Sequence, residues 1–388
     1  RWTCISYKFT THRKLKMKVV VERVDLLRAM SRAQSIVERR TTIPILANVL
    51  IEADDSGLNL RTTDLDIEIV ERVRANVEQP GSATVGAHTL HDIVRKLPDG
   101  VSIQLSSDHV SSRLEIKAGR SRFFLSTLPR EDFPMMATAE YESKFSILSK
   151  DLQRLFEKSK FAMSTEETRY YLNGVFFHIH AAGGEKFLRA VATDGHRLAQ
   201  IDTGIPADLN EMPGVIVPRK TVGELRMMLE SDEESIAVSV SETKIRFSTV
   251  KMTLTSKVID GTFPDYTRVI PKDNNKKLKV DAAQFAQSVD RVSTISSERA
   301  RAVKLNLADD KLVLSVNSPE SGAAEEELPV SYGDEELEIG FNARYLQEIS
   351  AQVDTGDAVF LFNTPSDPVL MTEASDATAL YVVMPMRV

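Results

Sequence analysis

Val191-Ala192-Thr193-Asp194-Gly195-His196-Arg197-Leu198-Ala199-Gln200 reads as two apolar strands joined by a tight polar turn. Gly tolerates positive φ and Asp bonds its own backbone, so Asp194-Gly195 is a turn signal. The apolar residues on either side make the whole a hairpin. The same phrase occurs earlier as Leu60-Arg61-Thr62-Thr63-Asp64-Leu65-Asp66-Ile67-Glu68-Ile69. Two copies at domain-sized separation make an internal repeat the first thing to test.

Working outward from the two hairpins, three copies of one unit emerge. In the first, an amphipathic helical stretch covers 24–37, a strand covers 45–51, and Thr63-Asp64 marks the hairpin. A second helix covers 85–93, strands follow at 102–105 and 112–116, and the unit closes on Ser126 and Phe133-Pro134. The second copy has a helix at 151–163 and a strand at 173–180. Thr193-Asp194, a helix at 217–225, strands at 236–240 and 245–248, then Ser256 and Phe263-Pro264 complete it. The third has a helix at 281–295, strands at 303–307 and 311–316, a helix at 341–349 and a closing run at 380–385. The second helices share a pattern: an apolar residue, a cation three positions on, Thr or Tyr, an aliphatic, an acid, then Ile or Leu. They start at Val85, Val217 and Phe341. The helices are too few to cover both faces of a sheet, so the class is α+β with antiparallel sheets. Domains are expected at 17–140, 144–268 and 271–388, with linkers near 135–143 and 269–277.

A length of 388 residues fits two or three domains, and 42% hydrophobic with 27% charged residues is ordinary for a globular chain. No apolar run approaches the roughly 20 residues that span a membrane. Residues 1–16 read as a leader outside the fold, lacking the apolar core of a signal peptide. They hold Cys4 and Trp2, the chain's single cysteine and tryptophan. The expected fold therefore has no disulfide or thiolate chemistry, which suits a reducing cytoplasm. A net charge of −7 argues against a generic nucleic-acid binder unless the charge is unevenly spread.

Catalytic chemistry is hard to find. Asp194 and His196 form a candidate acid–base pair, as in a metal-dependent hydrolase, but a hairpin with a polar tip explains them better, and the first copy has Asp66 where the second has His196. His178 and His180 alternate on a strand without metal-ligand spacing. Phosphate-binding glycine loops and a nucleophile elbow are missing from the sequence. No metal and no cofactor is expected. Positive charge concentrates on the helical stretches instead: Arg23, Arg28, Arg32, Arg39 and Arg40; Lys150, Arg154, Lys158 and Lys160; and His88, Arg95, Lys96, Arg219, Lys220, Arg226 and Arg344 on the second helices. Equivalent helices from each copy are expected to form one basic surface that meets phosphates without reading bases.

From residue 17 onward the chain resembles the bacterial sliding clamps, the beta subunits of DNA polymerase III. Arg-Tyr-Tyr-Leu-Asn-Gly (169–174), Ala-Thr-Asp-Gly-His-Arg-Leu-Ala (192–199), Val-Ile-Val-Pro-Arg-Lys (215–220), Phe-Pro-Asp-Tyr (263–266) and Tyr-Val-Val-Met-Pro-Met-Arg (381–387) carry the likeness. The resemblance implies three clamp domains per chain and a head-to-tail homodimer closed into a ring, with helices lining the hole and sheets outside. It implies a processivity factor without catalysis that encircles double-stranded DNA without sequence preference. The partners it implies are the polymerase catalytic subunit, the clamp loader, and other polymerases and repair proteins, docked through short peptides carrying Leu and Phe.

Carried over position by position, the peptide groove comprises Arg169, Tyr171, Leu172, Thr193, Gly195, His196, Arg197, Leu198, Pro264, Val269, Asn342, Tyr345, Val382, Met384, Pro385, Met386 and Arg387. The DNA contacts comprise Arg40, Tyr170, Tyr171 and Lys220, and the dimer seam comprises Phe123, Thr294 and Ile295. Two departures stand out. Glu166 places an acid where a neutral amide is expected beside phosphate, and Thr294 replaces a large aliphatic, which predicts a seam that opens more readily. A monomeric protein-binding scaffold is the non-enzymatic rival to the ring.

Overall fold

The computed structural model describes residues 17–39, 41–108, 112–229, 231–296, 301–319 and 321–387. They fall into two compact units, one of Arg1–Ala139 with Arg246–Ser256, the other of Glu140–Ile245 with Lys257–Val388.

In the first unit a strand, Met17–Glu22, runs directly into helix α1, Arg23–Ile36. The helix buries Leu26, Ala29, Met30, Ala33 and Ile36 on one side, the spacing of an amphipathic stripe. The second helix, α2, is Ala87–Lys96 and packs against α1. A five-stranded sheet runs in the order Ala75–Gln79, Met17–Glu22, Ser102–Asp108, Arg113–Ala118, Ser121–Ser126. Strand Ile67–Val73 pairs with Met252–Lys257 on one side and Gly57–Thr63 on the other, followed by Asn48–Asp54 and Gly81–Gly86. Every one of these pairings is antiparallel, and the apolar core fills the space under α1 and α2.

The second unit repeats the strand-into-helix entry twice. Ser143–Leu148 leads into α3, Ser149–Glu157. Helix α4 is Arg219–Leu225. Lys276–Asp281 leads into α5, Ala282–Ser293, where the Asp281 carboxylate caps the helix by accepting from the Gln284 amide at 2.8 Å. Helix α6, Ala343–Ser350, is capped in the same way by Asn342 and packs against α5. An eight-stranded antiparallel sheet joins material from the second and third repeats. Its order is Val215–Pro218, Gly174–Ala182, Glu185–Thr193, Arg197–Gly204, Asp376–Val383, Val369–Glu373, Asp357–Phe362, Lys276–Asp281. A four-stranded sheet, from Gly322–Pro329 to Leu337–Asn342, completes the third repeat.

Some expectations shift by a few residues, each for a local reason. Pro44 turns the start of the expected strand at 45–51 into a short 3-10 helix, Pro44–Ala47, and the strand begins at Asn48. The helix expected over 151–163 ends at Glu157, where the Ser159 hydroxyl donates to the Leu155 carbonyl and the chain tightens into 3-10 helix Lys160–Ala162. The shared pattern of the second helices straddles a junction: Val85, Val217 and Phe341 are each the penultimate residue of a strand, and the helix begins two residues later. The expectations for residues 1–16, Trp2 and Cys4 among them, lie outside the described residues.

Candidate functional site

The hairpin is built the same way twice. In the second repeat the Thr193 hydroxyl donates to the Arg197 carbonyl at 2.7 Å and accepts from the Gly195 amide at 3.1 Å. The Asp194 carboxylate accepts from the amides of His196 and Arg197 at 2.9 and 3.0 Å. In the first repeat Thr63, Asp64, Leu65, Asp66 and Ile67 make the same four bonds in the same places. The third residue of both turns has positive φ, 89° at Gly195 and 79° at Leu65.

Asp194 is thereby committed to its turn, and it also accepts from Arg197 Nε at 3.2 Å. The His196 ring stacks on Tyr345, with 6.2 Å between ring centres. These are the tasks of a rigid hairpin tip rather than of an acid–base pair. No group of three or more metal-ligating side chains occurs among the described residues, and no helix in them is long and apolar enough to cross a membrane.

What the second hairpin supports is an apolar cluster at the place of the expected peptide slot. Strand Arg197–Gly204 pairs with Asp376–Val383 in a register that sets Leu198 opposite Val382. With Leu172, Val191, Ile216, Phe263 and Tyr266 these form one apolar cluster, onto which Tyr171 packs. Leu198 and Val382 are buried, as the floor of the expected slot would be. The residues expected at its rim are wetter and still apolar: Val269 is 47% and Met384 37% exposed, Pro264 is exposed, and Tyr171, Pro385 and Met386 are half-buried. The terminal run is held in place by its backbone, Met384 N donating to the His196 carbonyl and Met386 N to the Gly340 carbonyl, both at 2.8 Å. Arg387 lies exposed beyond it. The Asn342 side-chain oxygen accepts at the α6 cap, which leaves its Nδ2 as the donor, while the Thr193 hydroxyl is committed to the hairpin.

Two arginines frame the slot differently. Arg197 is buried beneath the hairpin, where it bonds Asp194, Glu348 and the Phe161 carbonyl and lies 4.6 Å from the Tyr345 ring centre. Burial pulls its guanidinium below the usual arginine range, against the pull of Asp194. It acts as a pin joining hairpin and α6. Arg169 stays at the surface, bonded through two nitrogens to Glu166 at 2.8 and 2.7 Å, with a side-chain nitrogen over Gly195 where a Cβ would come within 2.7 Å. The arginine bonds hold the Glu166 carboxyl below its ordinary value, so this acid faces solvent as half of an ion pair.

Sequence reasoning passed over the network behind the slot. Arg189 grips Asp202 through two nitrogens at 2.6 and 2.7 Å and donates to the Tyr266 hydroxyl at 3.1 Å. His178 Nε2 lies 3.1 Å from that same hydroxyl, and burial lowers the imidazole's basicity. The network fixes the Tyr266–Arg268 turn, and with it Pro264 and Val269. The alternation of His178 and His180 was the visible signal, but the partner tyrosine is far away in sequence.

The basic helices divide into two groups. Arg32 pairs with Glu71, and Arg23 bonds Asp99 and the Val94 and Arg95 carbonyls. Arg154 bonds Asp202 O, Asp376 and Thr378, and Lys158 bonds Asp354, Glu373 and the Gln352 carbonyl. Arg219 holds the carbonyls of Met163 and Ser164. The expectation of a phosphate-facing surface is corrected for Arg32 and Lys158, which are buried, and all five tie elements together. Arg28, Arg39, Lys96 and Arg226 are exposed on or beside their helices. Tyr170 is 52% exposed and meets Tyr171 edge to face, Lys220 is half-buried in the first turn of α4, and Arg40 lies outside the described residues. At the expected seam, Phe123 packs partly on the first unit's core beside exposed Phe124, Thr294 is exposed at the end of α5, and Ile295 is half-buried.

The class these features define is a repeated α+β protein that carries an apolar cluster beside a rigid hairpin. Three family models match in succession: the DNA polymerase III beta subunit N-terminal domain at residues 17–137, its central domain at 146–265 and its C-terminal domain at 267–387. A beta sliding clamp of Caulobacter vibrioides is 50% identical over 372 residues, 96% of this chain and all of that one. A beta sliding clamp of Escherichia coli K12 is 38% identical over 372 residues, again 96% and 100% of the two chains. The crystal structure of a DnaN sliding clamp from Bartonella birtlesii bound to griselimycin superposes with a TM-score of 0.93 at 47% identity, covering 96% of this chain and 100% of that one. The chain belongs to the family of DNA polymerase III beta subunits, the beta sliding clamps, which are non-catalytic processivity factors of that polymerase.

Proposed function

We propose that two copies of this chain close head to tail into a ring around duplex DNA, and that the slot over Leu198 and Val382 docks the polymerase and its replacements. The domains are those of the repeats, 17–140, 144–268 and 271–388, and the seam brings Phe123 against Thr294 and Ile295. A head-to-tail contact that closes after two copies gives a finite ring. Such a ring needs only weak phosphate contacts, because topology prevents sideways escape and tight base contacts would stop it sliding. Arg40, Tyr170, Tyr171 and Lys220 are the proposed DNA contacts, and the work is cytoplasmic.

The observation that carries the docking reading is the register of Leu198 against Val382, which puts a buried apolar floor under an exposed apolar rim. An extended peptide with Leu and Phe anchors fits that chemistry. Met384 and Met386 repack readily, which lets one slot serve the polymerase catalytic subunit, the clamp loader, other polymerases and repair proteins in turn. Retention on DNA tests the ring: after loading, the protein should stay on a closed circle and run off once the circle is linearised. Equal retention on both forms would show ordinary binding instead.

A further inference from the structure

The first repeat contains the counterpart of the slot, and its residues have been exchanged for ions and hydroxyls. The shared hairpin sets the correspondence, since Glu68 follows Ile67 as Leu198 follows Arg197. Strand registers extend it. Val191 faces Phe176, and Arg61 faces Leu50. Phe176 faces Ile216, and Leu50 faces Thr84. Leu198 faces Val382, and Glu68 faces Thr255. Four apolar positions of the slot, Val191, Leu198, Ile216 and Val382, therefore answer to Arg61, Glu68, Thr84 and Thr255.

The framework around these four is preserved. Leu46, Leu50 and Phe133 cluster in the first repeat at the places that Leu172, Phe176 and Phe263 take in the second. Each replacement has a polar partner, although Arg61 Nε is left without one. Arg61 Nη1 lies 2.8 Å from Glu68 Oε1, and Glu68 Oε2 accepts from the Met136 amide at 3.1 Å. The Thr84 hydroxyl donates to the Leu128 carbonyl at 2.6 Å and accepts from its amide at 3.0 Å. Thr255 accepts from Arg246 at 3.1 Å. Glu68, Thr84 and Thr255 are all buried.

We infer that the Arg61–Glu68 ion pair, backed by Thr84 and Thr255, is the determinant that closes the first repeat to the peptides the second repeat accepts. An apolar anchor packing there would meet a buried paired charge and give nothing back, whereas at the second repeat the same positions present it with apolar side chains. One docking site per chain thus follows from four side chains on a duplicated frame. The inference rests on the docking reading above.

Reciprocal grafts test it on the full-length dimer, with a short Leu- and Phe-bearing peptide followed by calorimetry. The parent should bind one peptide per chain. Arg61→Val/Glu68→Leu/Thr84→Ile/Thr255→Val should bind two, and Val191→Arg/Leu198→Glu should lose affinity at the native slot by roughly 100-fold or more. A folded four-site variant that still binds one peptide overturns the inference, as does a folded Val191→Arg/Leu198→Glu variant of unchanged affinity. If either graft fails to fold, judged by circular dichroism, the other decides. A parent that binds no peptide overturns the docking reading and this inference with it; a parent at one with either failure above overturns this inference alone.

Discussion

Gly195 and Leu65 do the same job with different side chains. Both sit at the third position of the Thr-Asp turn with positive φ, 89° and 79°. For a residue with a Cβ that region costs about 1–2 kcal/mol. Gly195 meets the requirement without strain and leaves the room Arg169 occupies, since a Cβ there would come within 2.7 Å of its Nη1. Gly195→Ala should therefore destabilise the chain by about 1–2 kcal/mol and weaken peptide binding, because Arg169 has to move. Leu65 is 42% exposed and gains little from burial. Leu65→Gly should relieve the strain, less the extra chain entropy of glycine, for a net gain of about 0.5–1 kcal/mol. Denaturation midpoints that move in opposite directions for the two variants are the expected result; a shared direction would mean that the turn is not strained at this position.

At the scale of elements, the joint between the second and third repeats combines a strand register with an ion pair. Arg154 on α3 bonds Asp376 Oδ2 at 2.5 Å and the Thr378 hydroxyl at 2.6 Å. Burial disfavours the Asp376 carboxylate, but hydrogen bonds from Thr378 and Arg154 outweigh it and hold the group at about 2. An unfolded Asp titrates near 3.9. A depressed folded value means the stabilisation is complete above about pH 4 and is lost as the pH falls toward 2. Asp376→Asn should flatten the fall in stability across that window, where the parent loses about 1–2 kcal/mol from this group. Denaturant midpoints from pH 5 downward check it, and equal slopes in parent and variant would remove Asp376 from the account. The same joint shows what was legible in the sequence. The Thr-Asp hairpin was, because its bonding atoms lie within five residues of one another. The strands that open each repeat were missed, and so was the pairing of Leu198 with Val382, because a partner so distant leaves no local pattern. The helical cations were over-read for that reason too: Arg154, Lys158 and Arg32 looked like a wet face, yet their acids come from remote strands and loops. The slot's membership came from resemblance to a family. The burial of Leu198, Val382 and Arg197 and the exposure of Val269 and Met384 needed coordinates.

At the scale of the whole molecule, a net charge of −7 belongs to a protein that works on DNA. The balance is tolerable if grip comes from closure rather than from charge, and closure puts the burden on the seam between copies. Thr294 is exposed at the end of α5, and its hydroxyl donates back to the Asp290 carbonyl at 3.2 Å. In the proposed seam it would therefore bring a self-satisfied polar group to a contact where an aliphatic would bury apolar surface. Thr294→Ile removes a local bond that water replaces at the helix end, and adds surface worth roughly 1 kcal/mol or more once covered. The dimer dissociation constant should fall by about tenfold, read by sedimentation equilibrium at low concentration. The residence time on closed circular DNA should lengthen with it if spontaneous opening limits retention. Because the change lies at the surface of its own domain, the melting temperature of the isolated chain should stay put. A tighter dimer at an unchanged melting temperature locates Thr294 in the seam; an unchanged dissociation constant would place the contact elsewhere on the chain.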